Sequence, residues 1–86
     1  MENVIDKIKA LFKNHFPNYP VIAIWDAGDS YLVSIGIKSG SELMDGYIKV
    51  DKGDLQIEKN WGYQKNLQEF KKIVSSPAIY VNKEVS

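Results

Sequence analysis

His15 is the only side chain in the chain whose ordinary pKa lies near neutrality, so it is the first candidate for general acid or base work. The partner such chemistry needs is missing. There is no Cys, and no Ser can be placed beside His15 from its position in the sequence. His15 falls in the last turn of a predicted helix, where a cation suits the negative helix end, and that structural role is the expected one. The lack of Cys also excludes disulfides and thiolate zinc sites. The glycines are scattered through turns and form neither a phosphate loop nor a dinucleotide fingerprint. The expectation is a protein that is not an enzyme and that holds no cofactor and no metal.

Two other groups of residues could recognise a partner. Asp26 and Asp29 bracket one predicted hairpin turn, and Asp51 and Asp54 bracket another. In an up-down meander the first and third turns lie at the same end of the sheet, so the four carboxylates would converge. They could hold a divalent cation weakly or face a basic partner, although their spacing matches no EF-hand loop. Asp is also a favoured turn residue, and this plainer role carries more weight. The second group is Trp61-Gly62-Tyr63-Gln64-Lys65. Trp and Tyr are preferred anchors of protein interfaces, and rings beside Lys can also stack on single-stranded nucleic acid. The competing role is to seal the core edge, which both rings have the apolar area to do. Trp61, Tyr63, Lys65, Asp26, Asp29, Asp51 and Asp54 are therefore the candidate partner-binding residues.

The elements that must position them follow from hydrophobic periodicity. Val4, Ile5, Ile8, Leu11, Phe12 and Phe16 form one stripe at a period of roughly 3.6 residues, which predicts a helix over Asn3–His15. Asn3 is its expected cap and Pro17 its stop. Val21–Trp25 is apolar on both faces and predicts a central strand. Tyr31, Val33, Ile35 and Ile37 alternate with Ser30, Ser34, Gly36 and Lys38, the pattern of a half-buried strand whose polar face only Leu32 interrupts. Ser39–Glu42 reads as a loop. Tyr47–Asp51 and Leu55–Lys59 predict a second hairpin turning at Lys52-Gly53. Asn66 and Glu69 have the spacing of a capping box for a last helix carrying Leu67, Phe70, Ile73 and Val74 and stopped by Pro77. Trp25 is expected in the core.

The predicted class is α+β: an antiparallel β-meander of about four strands, with a short fifth at Ala78–Val81, and an N-terminal and a C-terminal helix packed on one face. Residues 1–81 are expected to form a single domain, and 82–86 a frayed tail. The arrangement is similar to cystatin-like and other small α+β folds, a likeness that says nothing of function. Eighty-six residues, 44% of them hydrophobic, suffice for one core.

Net charge is zero, but its distribution is uneven. Asp26–Glu58 holds seven acids against three lysines, and Lys59–Lys72 holds four lysines against Glu69 alone. All 11 basic side chains are Lys. Zero net charge without Arg argues against duplex nucleic acid as a partner. No run reaches the roughly 18 apolar residues of a membrane span, and the start mixes acids with apolar residues, unlike a signal peptide. A cytoplasmic protein is expected. The absence of Arg is what an AT-rich bacterial or phage genome would encode.

The stretch Met44-Asp45-Gly46-Tyr47-Ile48-Lys49-Val50-Asp51-Lys52-Gly53, followed by a strand and a short helix, resembles small bacterial immunity proteins. Those have a leading helix, a meander and a hairpin of the form apolar-x-V-D-K-x-G. Here Gly53 directly follows Lys52, a departure from that form. The likeness spans about a third of the chain, and its hairpin chemistry is generic. It implies stoichiometric binding and inhibition of a partner toxin and assigns no residue a role. The leading expectation is thus a small non-enzymatic protein-binding module, an inhibitor of the immunity or phage anti-defence type. The alternatives are a structural protein that assembles as a small homo-oligomer through a strand edge, and a small-ligand-binding domain.

Overall fold

The computed structural model describes residues 3–39 and 42–83. Helix α1 spans Val4–His15 and strands β1, β2 and β3 span Val21–Asp26, Ser30–Ser39 and Glu42–Asp51. A single 3-10 turn at Tyr63–Lys65 leads into α2 at Leu67–Val74, and β4 is the pair Tyr80–Val81. The class is α+β, with one antiparallel four-stranded sheet in the order β3-β2-β1-β4.

Local chemistry sets the ends of α1. Asn3 sits in extended geometry, and its Oδ1 accepts the Asp6 N–H at 2.9 Å. At the other end the Phe16 N–H donates to the Phe12 carbonyl at 2.7 Å, and Pro17 prevents a further turn. The hairpin between β1 and β2 turns at Gly28, whose φ of +93° suits a residue without Cβ. Gly28 N–H donates to Asp26 Oδ1 at 2.9 Å, closing the turn.

Register divides the sheet into two sets of side chains. Val33 pairs with Ile48 and with Ile24, and Tyr31 pairs with Val50. These residues share one face, and Ile8 and Phe12 of α1 cluster there with Ile24, Val33, Ile35 and Val50. Leu32 pairs with Lys49 and Trp25, and Ser34 pairs with Tyr47 and Ala23. These occupy the opposite face, where Phe70 of α2 meets Tyr47 edge-on with ring centroids 4.6 Å apart. The two helices therefore cover opposite faces, a correction to the expected packing of both on one.

The reason lies in β2. Its Ser30, Ser34 and Gly36 look like a solvent face in the sequence, yet Ser30 and Ser34 are buried, as is Leu32 between them. Small side chains make a low floor on which the rings of the second layer can sit. The central position expected of β1 does hold. It lies between β2 and β4, with Val21, Ala23 and Ile24 buried and a register irregularity between Val21 and Ala23.

Two further expectations shift. The second hairpin is reduced to one antiparallel bridge, Val50 to Ile57. The Asp51 carboxylate accepts the N–H groups of Gly53 and Asp54 at 3.0 and 3.3 Å, and Asp54 accepts that of Gln56 at 3.0 Å. These local turns, with Leu55 held at φ +54°, draw the returning chain out of ladder geometry. The expected short last strand does form, at the sheet edge beside β1, pairing Tyr80 with Ile24 and Val81 with Ala23. Asn82, assigned to the tail by sequence, fastens this strand: its N–H donates to the Ile22 carbonyl at 2.7 Å and its Nδ2 to the Val21 carbonyl at 3.1 Å. Residues 84–86 lie outside the described residues. Ser39 and Glu42 belong to paired strands, and 40–41 of the expected loop are not among the described residues.

Candidate functional site

The second layer of the sheet carries a cluster of rings built around Tyr47 of β3. Tyr63 meets it edge-on at 5.3 Å between centroids, Phe70 at 4.6 Å, and Trp25 of β1 lies 6.5 Å away. Tyr63 and Phe70 are 5.1 Å apart, so the 3-10 turn and α2 are joined through the same rings.

Beside the rings runs a polar network. Lys49 is two residues from Tyr47 and so emerges on the same face. Its side chain is only 10% exposed, and its Nζ lies 2.7 Å from Glu69 Oε1. The same carboxylate oxygen accepts the Trp61 indole N–H at 3.2 Å, and the Lys49 ammonium sits 5.4 Å from the Trp61 ring centroid. Strand, turn and helix thus meet at Glu69. The Lys49 hydrogen bond holds its carboxyl below the ordinary value, against a smaller opposing effect of burial.

This network overrides the expected capping box. Asn66 makes no side-chain bond to the start of α2. Its Nδ2 donates to the Gly62 carbonyl at 2.9 Å, pinning the 3-10 turn, while Glu69 is committed to Lys49 and Trp61. Over these groups opens a cleft of about 410 Å³ lined by Tyr47, Trp61, Tyr63, Gln64, Lys59 and Lys65. The predicted residues Trp61, Tyr63 and Lys65 are brought together here. Trp61 and Tyr63 do help seal the α2 edge, and each remains partly exposed at the cleft.

The four aspartates lie elsewhere. The two turns are neighbours, as the meander implies: the Lys52 N–H donates to the Asp29 carbonyl at 3.2 Å, and Lys52 Nζ lies 2.8 Å from Asp26 Oδ1. Their carboxylates are occupied within the turns, with Asp29 only 3.5 Å from the Ser30 hydroxyl that donates to it. Among the described residues no three His, Asp or Glu groups are placed to hold a metal ion. None of the four lines the cleft. His15 is bonded through Nδ1 to the Leu11 carbonyl at 3.0 Å, in the last turn of α1 and away from the ring cluster.

Sequence reasoning missed Tyr47, Lys49, Glu69 and Phe70 as parts of one site. The alternate spacing of Tyr47 and Lys49 was the available signal. It was obscured because the Ser-rich face of β2 reads as solvent-facing.

The charge pairs have a consequence for pH. Glu69 and Asp26 are both held below their ordinary values of 4.5 and 3.8, each chiefly by a lysine hydrogen bond. A depressed carboxyl contributes stability that is present above its unfolded value and lost as pH falls through its folded one. Lys52 is raised above 10.5 by its bond to Asp26, so its contribution is lost as pH rises through its folded value. The contribution of these two pairs should therefore be fully present from about pH 5 to 9 and be lost on either side. Urea midpoints of the native chain and Glu69→Gln check this. The variant should be less stable at neutral pH, with the gap closing as the medium acidifies. A gap that is constant down to about pH 2 would remove Glu69 from the acid limb.

No family model, curated protein or solved structure matches this chain. Among the described residues no helix is long and apolar enough to cross a membrane.

Proposed function

We propose that the chain is a non-enzymatic protein-binding module that docks a partner in the cleft over Tyr47, Trp61 and Tyr63, and that it acts as a stoichiometric inhibitor. The observation that carries this reading is the fixing of Trp61. Its ring stands against Lys49, its indole N–H is bound by Glu69, and the ring still borders the open cleft. A large aromatic surface held in place before binding loses little freedom on docking, which is the property of an interface anchor. The arginine-free, cysteine-free composition fits a bacterial or phage protein working in the cytoplasm.

The test compares Trp61→Ala with the native chain in affinity capture from a lysate of the native host. The partner recovered by the native chain should bind the variant roughly thirtyfold or more weakly, the loss of an anchor residue. Near-UV circular dichroism verifies that the variant is folded. Equal recovery by the two chains would remove Trp61 from the interface.

A second reading, assembly through a strand edge, draws on Val81 and Ile79, apolar residues of the β4 edge that are 55% and 41% exposed. The shortness of β4 weighs against it, and a monomer by light scattering would end it.

A further inference from the structure

We infer that the cleft selects an acidic segment of a partner protein that also carries an aromatic or branched apolar side chain. The inference rests on the docking reading above and adds the chemistry of the partner.

The lining supplies two kinds of recognition. Tyr47, Trp61 and Tyr63 offer ring faces and edges for an apolar side chain. Lys59 and Lys65 also line the cleft, no Asp or Glu does, and neither lysine forms an ion pair among the described residues. The nearest carboxylate of the site, Glu69, is already bound to Lys49 and Trp61 and so neutralises the buried ammonium rather than the rim. The lining carries two positive side chains and no negative one although the chain is neutral overall, and an anionic segment is its complement.

Rings and lysines together could equally hold single-stranded nucleic acid, but the surroundings favour a protein segment. A strand-binding groove tracks several successive phosphates with a row of cations. This cleft has two rim lysines, and the chain leading to it carries Asp51, Asp54 and Glu58 against Lys52 alone. A long polyanion would meet those acids, whereas a short acidic segment would not.

The experiment titrates the isotope-labelled chain with three probes: a short peptide with glutamates around a central Phe, the same peptide with lysines in their place, and oligothymidylate. Backbone and indole N–H resonances are followed. The glutamate peptide should shift Trp61 and the amides of residues 59–65. Its affinity for the native chain should fall with added salt, and it should be about tenfold weaker for a Lys59→Glu/Lys65→Glu variant. Tighter binding of the lysine peptide or of oligothymidylate would overturn the inference, as would a glutamate peptide that leaves the cleft resonances unmoved. The docking reading is judged separately with the captured partner. A partner lost by Trp61→Ala but kept by the charge-reversed variant would leave the docking site standing and remove its acidic preference.

Discussion

Phe12→Ala is expected to lower the unfolding free energy by about 3–5 kcal/mol, the cost of removing a fully buried aromatic side chain and leaving a cavity. Phe12 has no exposed surface, and it lies in the cluster that joins α1 to Ile24, Val33, Ile35 and Val50. Domains of this size have total stabilities of about 5–15 kcal/mol, so the variant should lose a large share of its stability while still showing an unfolding transition. There is no disulfide to hold the chain together once this face is opened. Urea unfolding followed by far-UV circular dichroism measures the loss directly. A loss below about 1 kcal/mol would mean that α1 is not the cover of this face.

The next largest effect is expected from Phe70→Ala, on the other side of the sheet. Phe70 is partly rather than fully buried, so the loss should be smaller, about 2–3 kcal/mol. Its consequence for the site should be larger than that figure implies. Phe70 is the ring of α2 that touches both Tyr47 and Tyr63, and its neighbour Glu69 fixes Trp61. Without it the helix should loosen from β3 and the cleft should lose its fixed geometry, so partner affinity should fall in chains that remain folded. The milder pair Phe12→Leu and Phe70→Leu tests the two-faced architecture. Residues on opposite faces with no shared partner should give losses that add to within about 0.5 kcal/mol. Strong coupling between them would place both helices over one core.

What could be read from the sequence was what depends on short-range physics. The stripe from Val4 to Phe16, the Asn3 cap and the Pro17 stop specify α1 with little help from the rest of the chain. The central position of β1 follows from its unbroken apolar run, and the turn at Gly28 from its composition. The errors share a cause of the opposite kind. Ser30 and Ser34 are polar by type and buried by context, on the face of the sheet that also carries Tyr47 and α2. Once that face is misread as solvent, Tyr47 and Lys49 lose their meaning and α2 has nowhere to go except the face of α1. The Asn66–Glu69 box failed because a lysine on a distant strand competes for the same carboxylate. Pairing between residues 20 positions apart is invisible to local pattern. The ring pair at Trp61 and Tyr63 was legible as a candidate because of its residue types; the residues beneath it that hold it in place were not.

The central claim is that the ring-lined cleft is the surface a partner protein covers. Site-directed photocrosslinking tests it most directly. A benzophenone side chain replaces Gln64, an exposed residue of the cleft wall, or Asn14, an exposed residue of α1 in a region the cleft does not include. Each chain is irradiated in the lysate of its native host. The account predicts a discrete protein adduct from position 64, suppressed by Trp61→Ala, and none from position 14. An adduct from position 14 with none from position 64 would contradict it and move the docking surface to the α1 face.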